Sequence, residues 1–178
     1  MTKKIAILAT DGFEDSELVE PFERLRDIGY KVLIVGTAEG KEVEGKTGAF
    51  KIVIDVSVDS VQVDDFDALI IPGGDSPAHL IRNEKAVEFA RNFQLSLKPT
   101  AAICHGPQVL ISAETLSGKN LAAGSAIVTE VEAAGGNYVD EAVVIDGNLI
   151  TSRSPADLPQ FIDAVIASLE GEEEQLTA

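Results

Sequence analysis

The sequence predicts an α/β domain in which a mainly parallel sheet is sandwiched between layers of helices. Two observations carry this expectation. Four short apolar runs, Ile5–Ala9, Val32–Val35, Ala68–Ile71 and Thr100–Ile103, are nearly continuous and rich in β-branched residues, the pattern of strands buried on both faces. Between most of them lie segments whose apolar residues recur at helical spacing.

In chain order, Ser16–Ile28 carries apolar residues at 18, 19, 22, 25 and 28, with Gly29 placed to end a helix and Pro21 either tolerated in its first turns or kinking it. Gly40–Val56 alternates Lys, Glu and Gly before KIVIDV and reads as a small antiparallel excursion. Glu84–Leu97 has Ala86, Val87, Phe89, Ala90, Phe93 and Leu97 on one stripe. Glu141–Thr151 reads as two strands around Asp146-Gly147-Asn148, a second small antiparallel excursion from the main sheet, and Ala156–Leu169 closes the chain after a Pro155 start signal.

The 178 residues suit a single domain over residues 1–170, with an acidic flexible tail at 171–178. A formal net charge of −16 repels phosphate backbones and anionic lipid, so neither nucleic acid nor membrane is an expected partner. One cysteine makes no internal disulfide, the first residues turn polar too soon for a signal sequence, and no apolar run approaches about 18 residues. A cytoplasmic protein is expected. The two histidines and one cysteine, at 79, 104 and 105, have no zinc spacing, and GTAEGKEVEG lacks a dinucleotide-binding order, so neither metal nor cofactor is expected.

Chemistry concentrates at three strand-to-helix junctions. In TAAICHGPQVLIS a buried strand ends at Ile103 and a helix is expected from Pro107, so Cys104 and His105 occupy the turn at the carboxyl end of the sheet, where open α/β sheets bind ligands. Gly106 clears the tightest point, as in elbows that present a nucleophile. The helix N-terminus beneath the sulfur is expected to favour thiolate. The alternative is an ordinary small buried cysteine. The second junction, Ile71-Pro72-Gly73-Gly74-Asp75-Ser76-Pro77, can turn backbone amides toward an oxyanion, or is plain turn geometry. The third, Thr10–Glu17, holds four acids that cap a helix, of which Glu17 could enter the crevice and tune a thiol.

ATDGFEDSELVEP, ALIIPGGDSP with RNEKAVEFAR, AAICHGPQVLISA and TSRSPADLPQFIDA together resemble PfpI-type proteins of the parkinsonism-associated deglycase superfamily, over about Lys4 to Leu169. The fold of that superfamily is similar to class I glutamine amidotransferase domains. The resemblance implies a flavodoxin-like three-layer sandwich. It implies Cys104 on a nucleophile elbow, Glu17 as carboxylic partner of its sulfur and His105 beside it, with backbone of Gly73, Gly74, Gly106 and His105 around a bound oxyanion or substrate. It further implies a homodimer or an assembly of dimers. The activities it implies are glutathione-independent glyoxalase, protein deglycase and intracellular cysteine peptidase, with small carbonyls, glycated protein or peptides as substrates, and some members resemble redox sensors.

One position departs from the family pattern. Where peptidase-like and some glyoxalase-like members carry an acid one residue after the second proline of the Pro-Gly-Gly turn, completing a Cys-His-acid arrangement or acting near the substrate, this sequence has Ala78, so no carboxylate stands there to orient His105. Asp75 or His79 could take its place. The expected function is therefore a cysteine-dependent stress protein acting on reactive carbonyls, with a peptidase and a redox sensor working through oxidation of Cys104 as alternatives.

Overall fold

The computed structural model describes residues 2–177, with side chains as far as Gly171. The strands are β1 (Lys4–Leu8), β2 (Lys31–Gly36), β3 (Glu42–Glu44), β4 (Lys51–Val53), β5 (Val56–Ser57), β6 (Ala68–Ile71), β7 (Thr100–Ile103), β8 (Asn120–Leu121), β9 (Asn137–Tyr138), β10 (Val144–Asp146) and β11 (Leu149–Ser152). The helices are α1 (Asp15–Asp27), α2 (Ser76–Leu80), α3 (Glu84–Leu95), α4 (Pro107–Ser112), α5 (Val128–Ala133) and α6 (Leu158–Thr177).

Seven strands form one sheet in the order β10-β11-β7-β6-β1-β2-β5, parallel throughout except where β10 pairs antiparallel with β11. Both expected antiparallel pairs are present, but only β3 with β4 stands apart from the main sheet; β10 and β11 belong to it, because β11 pairs parallel with the central strand β7. Period-two alternation explains why the strands carry no polar face. Ile5, Ile7 and Ala9 point into a core with Phe13, Leu18, Leu25, Phe161 and Leu169 under α1 and α6, while Ala6 and Leu8 join Phe89, Phe93, Leu110 and Val131 on the other side. The sheet is thus the middle of three layers. Among the described residues no helix is long and apolar enough to cross a membrane.

Three details differ from the sequence expectation. The helix expected over Glu84–Leu97 stops at Leu95, because Leu97 takes a left-handed φ of 69° and stands 76% exposed instead of completing the apolar stripe. A 3-10 turn over Pro155–Asp157 precedes α6, which then runs on through the acidic segment to Thr177. The tail expected at 171–178 falls, for its side chains after Gly171, outside the described residues. Finally, α5 and the short parallel pair β8–β9 come from a stretch with no clear period, and the sequence reading contains neither.

The strand order places a switch point between β1 and β6: the chain proceeds from β1 outward to β2, then returns to the other side of β1. Loops leaving the carboxyl ends of adjacent strands at such a point diverge and leave a crevice.

Candidate active site

The three junctions read from the sequence meet at this crevice. The loop after β1 and the loop after β6 are joined by backbone: Glu14 N–H donates to Gly73 O at 3.1 Å, and Asp75 N–H donates to Gly12 O at 2.8 Å. Gly74 permits this closeness, since its φ is +77° and a Cβ there would lie 2.4 Å from Gly12 O. Glu17, in the first turn of α1, is fully buried, and its Oε1 accepts the Gly73 amide at 2.8 Å.

Cys104 follows β7 in a left-handed conformation, φ 58°, which a residue with a Cβ adopts only when its surroundings impose it. The surroundings are explicit. Cys104 N–H donates to Ser152 O at 3.1 Å, and Cys104 O accepts from Gly124 N–H at 2.8 Å. The end of β11 is itself anchored, because the Arg153 amide and guanidinium donate to Asp157 at 3.0 Å. Holding Cys104 in this conformation costs about 1–3 kcal/mol, strain of the kind found where a side chain is presented for chemistry. The expected elbow is present.

The sulfur lies 3.2 Å from His105 Nδ1. Glu17 lies nearby: the point where a Gly73 Cβ would sit is 2.7 Å from Glu17 Oε1, 2.9 Å from His105 N and 3.0 Å from Cys104 Cβ. Glu17 Oε2 is buried with no hydrogen-bond partner, as is Ser152 Oγ. A buried carboxyl oxygen left in this state is available to give or take a proton.

Electrostatics correct the expected thiolate. Burial pushes Glu17 up to about 8, against the Gly73 amide and Lys46, which act to lower it, while Glu14 adds to the rise. Burial, then the Glu17 charge, pushes the Cys104 thiol up to about 11, opposed by the His105 amide and Lys46. The two-turn α4 is too short to offset the desolvation of a half-buried sulfur. Near neutral pH the resting pair is a thiol beside a carboxylic acid.

The expected oxyanion amides do not all face the crevice. Gly73 N–H is committed to Glu17, and Gly106 N–H donates to Ile103 O at 2.8 Å within the elbow. Gly74 and His105 remain as donors, the latter already directed at the sulfur. Gly106 acts through close packing instead: a Cβ there would lie 2.3 Å from Ile71 O and 2.9 Å from Ile103 N. Those are backbone atoms of two central strands, so Gly106→Ala is expected to cost about 3 kcal/mol, read as a fall in the urea midpoint with unchanged slope.

Ala78 and His79 are exposed on α2, and Asp75 is exposed before it. Among the described residues the side-chain partner of the His105 ring is the Cys104 sulfur alone, and no group of three or more metal-ligating side chains is present. Two residues absent from the sequence reading also border the site. Lys46, on the turn between β3 and β4, donates its amide to Phe13 O at 2.8 Å, while the Thr47 hydroxyl donates to Asp15. Gly124 packs against the elbow. Gly45-Lys46-Thr47-Gly48 signals a turn and nothing more, and Gly124 stands in a stretch with no motif.

Comparison with known proteins shows the family and the fold. Residues 3–168 match the DJ-1/PfpI family. The chain belongs to the DJ-1/PfpI family. Protein/nucleic acid deglycase 2 of Escherichia coli (strain K12) is 47% identical over 162 residues, 90% of this chain and 94% of that protein. The candidate cysteine protease YraA of Bacillus subtilis (strain 168) is 46% identical over 161 residues, 90% of this chain and 95% of that one. Among solved structures, Drosophila melanogaster DJ-1beta superposes with a TM-score of 0.86 at 27% identity, covering 100% of this chain and 99% of that chain. The matched range of this DJ-1/PfpI chain includes Glu17, Gly73, Gly74, Cys104 and His105.

Proposed function

We propose that this DJ-1/PfpI protein is a cysteine-dependent enzyme acting on reactive carbonyls, as a glutathione-independent glyoxalase or a protein deglycase. The observation that carries the reading is the Glu17–Cys104 pair: a buried carboxyl with one oxygen unpartnered, set beside a thiol whose own histidine has no carboxylate behind it. The identity to a protein named a deglycase supports the same choice.

The pair supplies what an internal proton shift needs. As Sγ attacks the aldehyde carbon of methylglyoxal, a C–S bond forms, the carbonyl π pair moves onto oxygen, and the thiol proton ends on that oxygen by way of Glu17. Gly74 and His105 amides offset the developing negative charge. In its ionised form Glu17 then takes the proton from the former aldehyde carbon and returns it to the neighbouring former ketone carbon, while the hydroxyl proton on the former aldehyde oxygen passes to the former ketone oxygen, giving a lactoyl thioester. Water cleaves the thioester, releasing lactate and the thiol. One water is consumed and no oxidant is required. A hemithioacetal or aminocarbinol on a glycated protein enters at the same adduct. The homodimer or assembly of dimers implied by the resemblance belongs to this reading as the form in which the site works.

The peptidase reading asks His105 to act as a base oriented by an acid, and the exposed Ala78 on α2 supplies none. Incubation with methylglyoxal in the absence of glutathione is expected to yield lactate, and the same preparation is expected to release no label from casein. Casein turnover without lactate overturns the proposal. The unpartnered Glu17 Oε2 also favours a second reading, in which a protonated Glu17 donates to an oxygen added to the sulfur by peroxide. That reading requires an intact-mass gain of two oxygens on Cys104 at modest peroxide, and an unmodified mass sinks it.

A further inference from the structure

Gly124 follows β8 and opens the 3-10 turn Ser125–Ile127. Its backbone, φ −60° and ψ 141°, is open to any residue, so chain conformation does not call for glycine here. Space does. A Cβ at this position would stand 3.2 Å from Cys104 Sγ and 3.3 Å from the carbonyl carbon and oxygen of Cys104. Non-bonded carbon contacts settle at about 3.5–4.0 Å, so even a methyl group would press on the sulfur. Retreat is blocked, because the Gly124 amide is tied to Cys104 O at 2.8 Å.

The other neighbours of the elbow are already filled. His105 Nδ1 contacts Sγ at 3.2 Å, and Glu17 with Gly73 closes on the Cβ side. Gly124 is the neighbour at which any side chain would abut the sulfur itself.

We infer that Gly124 is a specificity-determining residue: its bare Cα makes room at Sγ for the substituent on the attacked carbon, so that the site takes 2-oxoaldehydes carrying an alkyl group and bulkier carbonyl adducts. This inference rests on the carbonyl-enzyme reading for its substrate class. Its physical core, clearance at the sulfur, does not. A larger side chain at 124 restricts the site to small electrophiles.

The test is the rate at which Cys104 reacts with hydrogen peroxide, iodoacetamide and N-ethylmaleimide, in wild type, Gly124→Ala and Gly124→Val. Peroxide rates are expected to stay within about two-fold, whereas the maleimide rate falls by about ten-fold in Gly124→Ala and further in Gly124→Val. An equal fall with all three reagents, or no fall, overturns the inference. Because these reactions need no turnover, a size-graded loss in a protein that forms no lactate would sink the enzyme reading and leave the clearance intact. Should Gly124→Ala unfold, wild type is decisive by itself, read with maleimides of increasing N-substituent size. Rates within about two-fold across that series are expected, and a steep fall with size in the wild type overturns the inference.

Discussion

Cys104→Ser is expected to abolish lactate formation from methylglyoxal, lowering kcat by about a thousand-fold or more. The size follows from what the hydroxyl lacks. A serine oxygen keeps the position and volume, but its proton is held far too tightly for a lone carboxylate to remove, and the resulting adduct would be an ester, not a thioester. No second cysteine exists to substitute. The fold should tolerate the change, because the elbow is held by backbone: Ser152 O and Gly124 N–H bond the main chain of residue 104 whatever its side chain. Lactate measured against urea midpoint in the two proteins checks this. Equal lactate from both would remove Cys104 from the chemistry and shift the function to oxidation of the sulfur, whereas loss of lactate with an unchanged midpoint assigns the reaction to the thiol.

How far the sequence discloses such a site depends on whether a residue is specified locally. Cys104, His105 and Gly106 are legible because an apolar β-branched run breaks within a few residues into a helix start, and only a sharp turn joins the two. The crevice at the carboxyl ends of the strands follows from four buried runs alternating with helices, whereas the strand order that sets the switch point between β1 and β6 does not. Leu97 misled because it continues the α3 period, and only the left-handed turn required to enter β7 takes it out of the core. Amide direction is not local at all. Gly73 and Gly74 look equivalent in sequence, yet Glu17, 56 residues away from Gly73, captures one amide and leaves the other. Protonation escaped for a similar reason. A helix start beside a thiol suggests thiolate, but burial of Cys104 and of Glu17 are properties of the packed crevice, and they outweigh a two-turn dipole. Gly124 carries no signal because what it provides is the absence of an atom near a residue twenty positions earlier.

Glu17→Gln is expected to stabilise the protein and disable it, with both effects growing over one pH interval. Folding holds the Glu17 proton up to about 8, against an ordinary value of 4.5. Between those values the unfolded chain has released a proton that the folded chain keeps, so stability falls as pH rises, by about 1.4 kcal/mol per pH unit at most. Below 4.5 both states are protonated and the effect is absent, and above about 8 it is complete. Glutamine keeps a carbonyl oxygen for the Gly73 amide and does not titrate, so the variant should gain on wild type by several kcal/mol between pH 5 and 8. The thiol should respond too. With the neighbouring carboxylate charge gone, Cys104 is expected to ionise below about 11, seen as an iodoacetamide rate that rises at lower pH. Catalysis moves the opposite way, since the proton acceptor is lost: kcat/KM for methylglyoxal should fall about a hundred-fold, and the wild-type rise in rate through pH 8 should vanish. A variant that is more stable, more readily alkylated at high pH and yet less active cannot be explained by misfolding. If the alkylation profile does not move, Glu17 is not the partner of the sulfur, and the proton shift between the two carbons must pass through His105.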